Sequence, residues 1–464
     1  MTSSATFSHQ DLVAVFGEAA AHLGSDVMVR GISTDSRTLT AGNAFIAIRG
    51  ERFDGHTHVQ GALQKGAVCC IVERACFDRA SPALQSVLIP VENTIRALGS
   101  LAHHHRKRFH IPVVAIAGSA GKTSTKELTA AIVGAKYKTL KTEANFNNQI
   151  GTPLTLLQLS AEHEAAVVEI GTNEPGEIEL LCSMVHPTHG LITNIGKEHL
   201  EKLVDIDGVE REECTLFEYL ADHDGLAFVN VDDDRLKPYG YHRGLRRVVT
   251  FGIDRHADMR VHITFDTELR PVVHVVNNAF TFRATMRLHG LAAARNAACG
   301  VAVAWALNIP ADQVQRVLST YEADATHGYA RMVVQHCGGI AILNDCYNAN
   351  PESMVLALET MRQYPAQRRI AVLGDMLELG TNAHFEHMAI LEEASAKSDA
   401  VITMGEHFRD AVEEMELSNV QWCETYVGCA EIIRDLSGTN AAVLVKGSRG
   451  LAMERVIHLL SLDC

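Results

Sequence analysis

Val113-Val114-Ala115-Ile116-Ala117 runs without a break into Gly118-Ser119-Ala120-Gly121-Lys122-Thr123, and a helix-forming stretch opens near Ser124. An apolar strand, a glycine-rich turn and a helix in that order constrain the chain more than any other feature. Glycines let successive backbone N–H groups curl around phosphate oxygens, and the helix N-terminus adds positive potential. The Lys122 ammonium neutralises charge and the Thr123 hydroxyl offers an oxygen to Mg²⁺. Ile116 stands where the general G-x-x-x-x-G-K-[ST] pattern has its first glycine, so the match is to the second half of that pattern. The bland alternative is an ordinary strand-turn-helix with an incidental lysine. The loop is expected at the surface of a rigid sheet, so that losing the Lys122 side chain would remove function and spare the fold.

Around this unit the chain alternates strand and helix. Ala165 to Ile170, Gly190 to Ile195 and Leu226 to Val231 read as strands separated by helix-length segments, the pattern of a parallel sheet covered on both faces. A β-rich insertion covers Met259 to Leu288, and Leu291 to Leu307 is an Ala-rich, buried helix. The pattern restarts near Ala323 to Gly328. It then gives strand Ile340 to Asn344, helix Ser353 to Arg362, strand Ile370 to Leu373, helix Phe385 to Ala394, and strands Ala400 to Met404 and Ala442 to Lys446. This reads as a doubly wound unit that binds ligands at the carboxyl ends of its strands. Before His110, short strands such as Ala44 to Ile48 and Val68 to Val72 alternate with short helices. The fold class is therefore α/β, with a small N-terminal domain at 1–110, a central parallel-sheet domain at 111–323 and a Rossmann-like C-terminal domain at 324–464. A length of 464 residues suits this count at roughly 150 residues per domain.

Charge narrows the partners. Lys+Arg number 41 against 56 Asp+Glu, a net −15, which disfavours generic binding to nucleic acid or anionic lipid, so any phosphate must be held locally. No apolar run approaches the ~18 residues that span a bilayer. Met1 to Gln10 lacks the basic start and apolar core of a signal peptide, so the cytoplasm is the expected compartment, and a monomer is the default expectation. Eleven scattered cysteines read as small core hydrophobes. His103 to His105 beside Arg106, Lys107 and Arg108 read as the solvated face of a helix.

Several polar residues stand where such sheets place chemistry. Glu169 closes an apolar strand, a costly place for a carboxylate unless it is paired or binds metal. His199 follows another strand and is either a metal ligand or a structural loop histidine. Asp345-Cys346-Tyr347-Asn348-Ala349-Asn350-Pro351 and Lys446-Gly447-Ser448-Arg449-Gly450 each follow a strand at one sheet edge, which suggests an anionic ligand there.

In this order these segments resemble the Mur ligases, the ATP-dependent amide-forming enzymes of peptidoglycan assembly. The likeness covers essentially the whole chain and is strongest to the branch that joins D-alanyl-D-alanine to UDP-N-acetylmuramoyl-tripeptide. Ser33 to Arg37 and Gly50 to His56 look like uridine-nucleotide segments, which implies substrate contacts from Ser36, Arg37, Asp54 and His56. Asn145 to Pro153 implies contacts from Asn147 and Asn148; Tyr347, Asn348, Asn350, Lys446 and Arg449 complete the implied substrate set. The resemblance implies ATP held by Gly118, Ser119, Ala120, Gly121, Lys122, Thr123 and Ser124, with Asn296 at the adenine. Arg331 would reach the nucleotide from the C-terminal domain. It also implies Mg²⁺ on Thr123 and Glu169 and a second metal site with His199. Lys122, His199, Glu213 and Arg331 are the expected catalytic set.

There are departures. In the family a segment G-V-A-x-A-K carries a lysine that becomes carbamylated and presents a carboxylate to the second metal. Here Gly208-Val209-Glu210-Arg211-Glu212-Glu213 puts Glu213 at that lysine, with Glu210 and Glu212 as competitors for the position. A glutamate already supplies a carboxylate, so activity independent of bicarbonate is expected. Ala292 stands for the usual His before the adenine-contacting Asn, and Ala117 for a frequent Thr. A paralogue joining a different amine and carboxylate, and a catalytically silent nucleotide-binding scaffold, are the competing readings.

Overall fold

Strands whose residues are all apolar bury both faces, and their hydrogen-bonding pattern follows from the helices that connect them. The computed structural model of the chain describes residues 5–50, 53–241, 244–252, 256–278, 280–323 and 331–461. Glu51 and Arg52 of the Gly50 to His56 segment, and residues 324–328 of the restart, lie outside that set. The chain divides into two compact units, one of residues 1–116, 137–172 and 176–190, the other of residues 117–136, 173–175 and 191–464.

In the first unit, four short parallel strands lie in the order Ile32–Ser33, Ala44–Ile46, Cys69–Glu73, Leu88–Val91. Phe45 pairs with Cys70 and Ile71 with Ile89, and Phe45, Val59, Ala62, Cys70 and Leu88 pack as their core. A second parallel set joins Val113–Ala117 to Ala165–Glu169 and the latter to Thr139–Lys141. All ten residues of the first two strands are buried. The helix Thr94–Arg106, capped by the Asn93 carboxamide oxygen, corrects the expectation for the basic stretch. His105 and Arg106 are buried: His105 bonds the Leu159 carbonyl, and Arg106 donates to the carbonyls of Val185, Phe109 and His186. An arginine fork that satisfies loop carbonyls is worth burying, and charge counting alone does not reveal that geometry.

In the second unit, the helix after the glycine loop spans Lys122–Gly134 and starts two residues earlier than read from sequence. It packs against helix Gly290–Ala306. The β-rich insertion is a meander of Met259–Phe265, Pro271–Asn277 and Phe280–Thr285, the last alternating exposed and buried residues as a half-covered strand should. The C-terminal sheet has six strands in the order Val333–Cys337, Ile340–Asp345, Ala441–Lys446, Arg368–Gly374, Ala400–Met404, Val420–Trp422. Ile342, Val372 and Val443 face one apolar cluster, and Leu343, Leu373 and Leu444 the other. That alternation is a sheet packed on both faces, as in a doubly wound domain. Its first strand escaped the sequence reading. It pairs antiparallel with Ile340–Asp345 through Gly338 and Gly339, both at positive φ (55° and 87°), a turn that matches strand twist.

Of the cysteines, Cys69, Cys70, Cys182, Cys214, Cys299, Cys346, Cys423 and Cys429 are buried free thiols, as expected of small hydrophobes.

Candidate functional site

The loop Gly118 to Thr123 lies only in part at its expected place on the surface: Gly118 and Ser119 are buried, and Ala120, Gly121, Lys122 and Thr123 are half-buried. Gly118 has φ +113°, and a Cβ there would stand 2.4 Å from Thr193 Oγ1, so only glycine fits. Gly121 closes the turn at φ +79° and starts the helix. Asn194 holds the loop's middle from both sides. Its Oδ1 accepts the Ala120 N–H (3.1 Å), its Nδ2 donates to the Ala120 carbonyl (2.8 Å), and its own carbonyl accepts the Ser119 N–H (3.0 Å). Ser119 Oγ accepts the Gly196 N–H (2.8 Å) and donates to the Gly196 carbonyl (3.2 Å).

Charge converges on the same loop. Lys122 Nζ lies 3.1 Å from Glu198 Oε2, with the lysine side chain 13% exposed. Glu213, on helix Ile206–Asp222, accepts the Gly118 N–H through Oε2 at 2.7 Å. Its Oε1 is buried, and no N–H or O–H of the described residues reaches it. Burial pushes the Glu213 carboxyl up to about 8, and Glu198 beside it pushes the same way, while Lys122 and the Gly118 N–H pull back in part. Two buried carboxyls around one ammonium form a site that a cation would relieve.

The helix register decides among the three glutamates. Glu213 is fully buried against the loop; Glu210 points to Arg235, 2.8 Å away; Glu212 is buried elsewhere on the helix. Of the two competitors, Glu210 is thus turned toward Arg235 rather than the loop. Gly208 has a local steric cause: a Cβ there would sit 1.9 Å from the Leu203 carbonyl oxygen.

Asn296 is 9% exposed and accepts the Thr125 hydroxyl at 3.0 Å through Oδ1. It lines a cavity of about 70 Å³ with Asn194, Asn230, Asp233, Phe251 and Arg295. His199 Nδ1 is 2.7 Å from Glu378 Oε2. The Arg331 guanidinium stacks 4.0 Å from the Tyr347 ring centroid. Ile340–Asp345 and Ala441–Lys446 are neighbours with Asp345 opposite Lys446, so the two polar loops leave one edge side by side. Lys446, read as facing an anion, is 3% exposed and spends its ammonium on Asp345 Oδ2 (2.6 Å) and the Asn348 carbonyl (2.9 Å). Asn350 caps helix Pro351–Gln363 by accepting the Ser353 N–H, and Arg449 pairs with Glu454 at 2.8 Å.

In the first unit, Asn147 Nδ2 donates to Glu169 Oε1 at 2.8 Å, and the Thr142 hydroxyl oxygen accepts the Glu169 N–H. Asn148 Oδ1 accepts the N–H groups of Ile150 and Gly151, opening helix Gly151–Leu156. His56 lies between Asp54, 2.6 Å from Nδ1, and the Glu73 N–H, which donates to Nε2. Arg37 is exposed and forked onto Asp35, and the Ser36 carbonyl accepts Lys65.

Residues 28–106, 116–304 and 330–449 match the family models for the Mur ligase family catalytic domain, the Mur ligase middle domain and the Mur ligase glutamate ligase domain. The UDP-N-acetylmuramoyl-tripeptide--D-alanyl-D-alanine ligase of Treponema pallidum (strain Nichols) is 33% identical over 453 residues, 93% of each chain. The chain belongs to the Mur ligase family. MurF from Acinetobacter baumannii superposes with a TM-score of 0.86 at 26% identity, covering 98% of this chain and 99% of that one. MurF ligase from Thermotoga maritima, solved in complex with ADP, shares the fold at a TM-score of 0.82 and 24% identity, over 93% of this chain and 97% of that one.

Within this Mur ligase the sequence reading gave neither Asn194 nor Glu198 a place at the glycine loop, which both touch. Their signal was positional, since both follow the strand His189–Ile192 at its carboxyl end.

Proposed function

We propose that the chain is an ATP-dependent amide ligase that adds D-alanyl-D-alanine to UDP-N-acetylmuramoyl-tripeptide. The reading places it in cytoplasmic peptidoglycan-precursor synthesis, as a monomer, with domains at 1–110, 111–323 and 324–464. No helix among the described residues is long and apolar enough to cross a membrane. The observation that carries the reading is the loop Gly118 to Thr123 with Lys122 at its helix start, in a chain whose relatives of that name match it over nine-tenths of its length.

The chemistry follows from what the loop offers. A peptide carboxylate oxygen attacks the γ-phosphorus of ATP, ADP leaves, and an acyl phosphate forms. The dipeptide amine then attacks the acyl carbon, and the tetrahedral intermediate expels inorganic phosphate as the amide forms. Such transfer depends on positioning and on neutralising charge. Lys122 and the helix N-terminus do this at the phosphates. Asn296 lines the cavity proposed for the adenine, and Arg331 on its Tyr347 platform is a second cation. The substrate roles of Ser36, Arg37, Asp54, His56, Asn147, Asn148, Asn348, Asn350, Lys446 and Arg449 rest on the resemblance.

The residues present also fit Mg²⁺. The buried Glu213 Oε1 lacks a donor, and hard oxygen donors are what this ion takes. On the resemblance, Thr123 and Glu169 would hold one Mg²⁺ and His199 and Glu213 a second, and when bound these ions would neutralise phosphate oxygens. The Glu213 carboxylate belongs to the side chain itself, so no carbon dioxide adduct is needed at that position.

Release of inorganic phosphate tests the proposal. It should require ATP, UDP-N-acetylmuramoyl-tripeptide and D-alanyl-D-alanine together. Release with another amine or carboxylate in their place would point to a paralogue's substrates. Nucleotide binding without turnover would leave a scaffold.

A further inference from the structure

The segment Gly196 to His199 touches the phosphate loop with one side and elements beyond residue 350 with the other. Toward the loop, Gly196 exchanges two hydrogen bonds with Ser119 Oγ, and Glu198 takes the Lys122 ammonium. Away from it, three carboxylates grip the segment. The Lys197 N–H donates to Glu352 Oε1 at 2.8 Å, the Lys197 ammonium pairs with Glu386, and His199 Nδ1 meets Glu378 Oε2 at 2.7 Å. These glutamates come from three places: the first turn of helix Pro351–Gln363, the loop after strand Arg368–Gly374, and helix Ala383–Lys397. The fit is close enough to dictate sequence, because a Cβ on Gly196 would stand 2.8 Å from Glu352 Cδ.

We propose that Glu352, Glu378 and Glu386 are positioning residues that clamp Gly196–His199 and thereby hold Ser119 and Lys122 in the arrangement that receives a triphosphate. These contacts of the three are with Lys197 and His199. Each acts through a segment that does, so the C-terminal elements and the nucleotide site are set together. Glu352 is the central contact: its grip is on backbone, which any side chain at position 197 would leave in place, and it needs an acceptor rather than a charge. The proposal rests on the nucleotide reading of the phosphate loop.

Amide hydrogen exchange at residues 196–199 and calorimetric binding of ATPγS with Mg²⁺ test it in the full chain. With Glu352→Ala, exchange at 196–199 should quicken about tenfold and ATPγS should bind roughly fivefold more weakly, while exchange in the strands of the C-terminal sheet stays as in the wild type. Glu352→Gln keeps the acceptor oxygen and should restore both readouts to within about twofold. If Glu352→Ala leaves both the protection of 196–199 and the ATPγS affinity within about twofold of wild type, the clamp is wrong. Should Glu352→Ala not fold, Glu378→Ala and Lys197→Met, both at partly exposed side chains, carry the test: faster exchange and weaker binding support the clamp, and unchanged values overturn it. Failure of the wild type to bind ATPγS would instead strike the nucleotide reading, and the exchange comparison would still decide whether the clamp exists.

Discussion

Lys122 shows how one residue carries two duties. Its ammonium is the charge expected at the phosphates, and it is also the counter-ion of Glu198 beside the buried Glu213. Lys122→Ala should therefore cut phosphate release by at least about a hundredfold, the scale for losing a key electrostatic contact. It should also lower stability by about 1–3 kcal/mol, because buried carboxyls lose a partner. A thermal melt matching wild type would show that the pair contributes nothing to the fold. Gly118→Ala is the steric counterpart: its φ and the nearby Thr193 make any Cβ costly, by about 1–3 kcal/mol, and displacement of the loop should weaken nucleotide binding. Glu213 permits a chemical check. Turnover in carbon-dioxide-free buffer should equal turnover with added bicarbonate, and a clear bicarbonate dependence would count against a direct carboxylate at this position.

At the scale of elements, buried polar side chains tie the ends of helices and strands. Arg106 on helix Thr94–Arg106 holds three loop carbonyls, so Arg106→Ala should cost about 3 kcal/mol in chemical denaturation. His387 on helix Ala383–Lys397 does the same for the loop bearing Glu378. Its Nδ1 is 2.6 Å from the Ala383 carbonyl, and its Nε2 accepts the Met376 N–H at 2.9 Å, which fixes the neutral tautomer. Burial, the main cause, holds the imidazole below its ordinary 6.5. The folded pKa is then below the unfolded one, so the unfolded chain binds more protons as the medium acidifies. The stabilisation is complete above about pH 6.5 and is lost as pH falls toward the folded value. In melts taken from pH 7.5 down to 5, wild type should lose stability more steeply than His387→Gln; parallel curves would remove His387 from the account.

For the molecule as a whole, a net charge of −15 means that the proposed phosphate site must draw its positive potential from local sources, Lys122 and the helix start beside it. Nucleotide that binds only the folded state should raise the melting temperature with concentration, by about 2.7 kcal/mol of added stability at a hundred times Kd. Lys122→Ala should show little of that rise. By itself the sequence determined the α/β class, the phosphate loop and the strand ends, because period, glycine and strand-end polarity are local properties that neighbours on the chain express. It also marked Glu213 as the departure from the family. Only the tertiary structure decided which glutamate of Glu210, Glu212 and Glu213 faces the loop, that Lys446 is spent on Asp345, that Arg106 is buried, and that Glu352, Glu378 and Glu386 converge on Gly196 to His199. Those outcomes depend on helix rotation and on contacts between residues 79 to 189 positions apart. A side chain's partner across such a distance is set by packing, which no local pattern records.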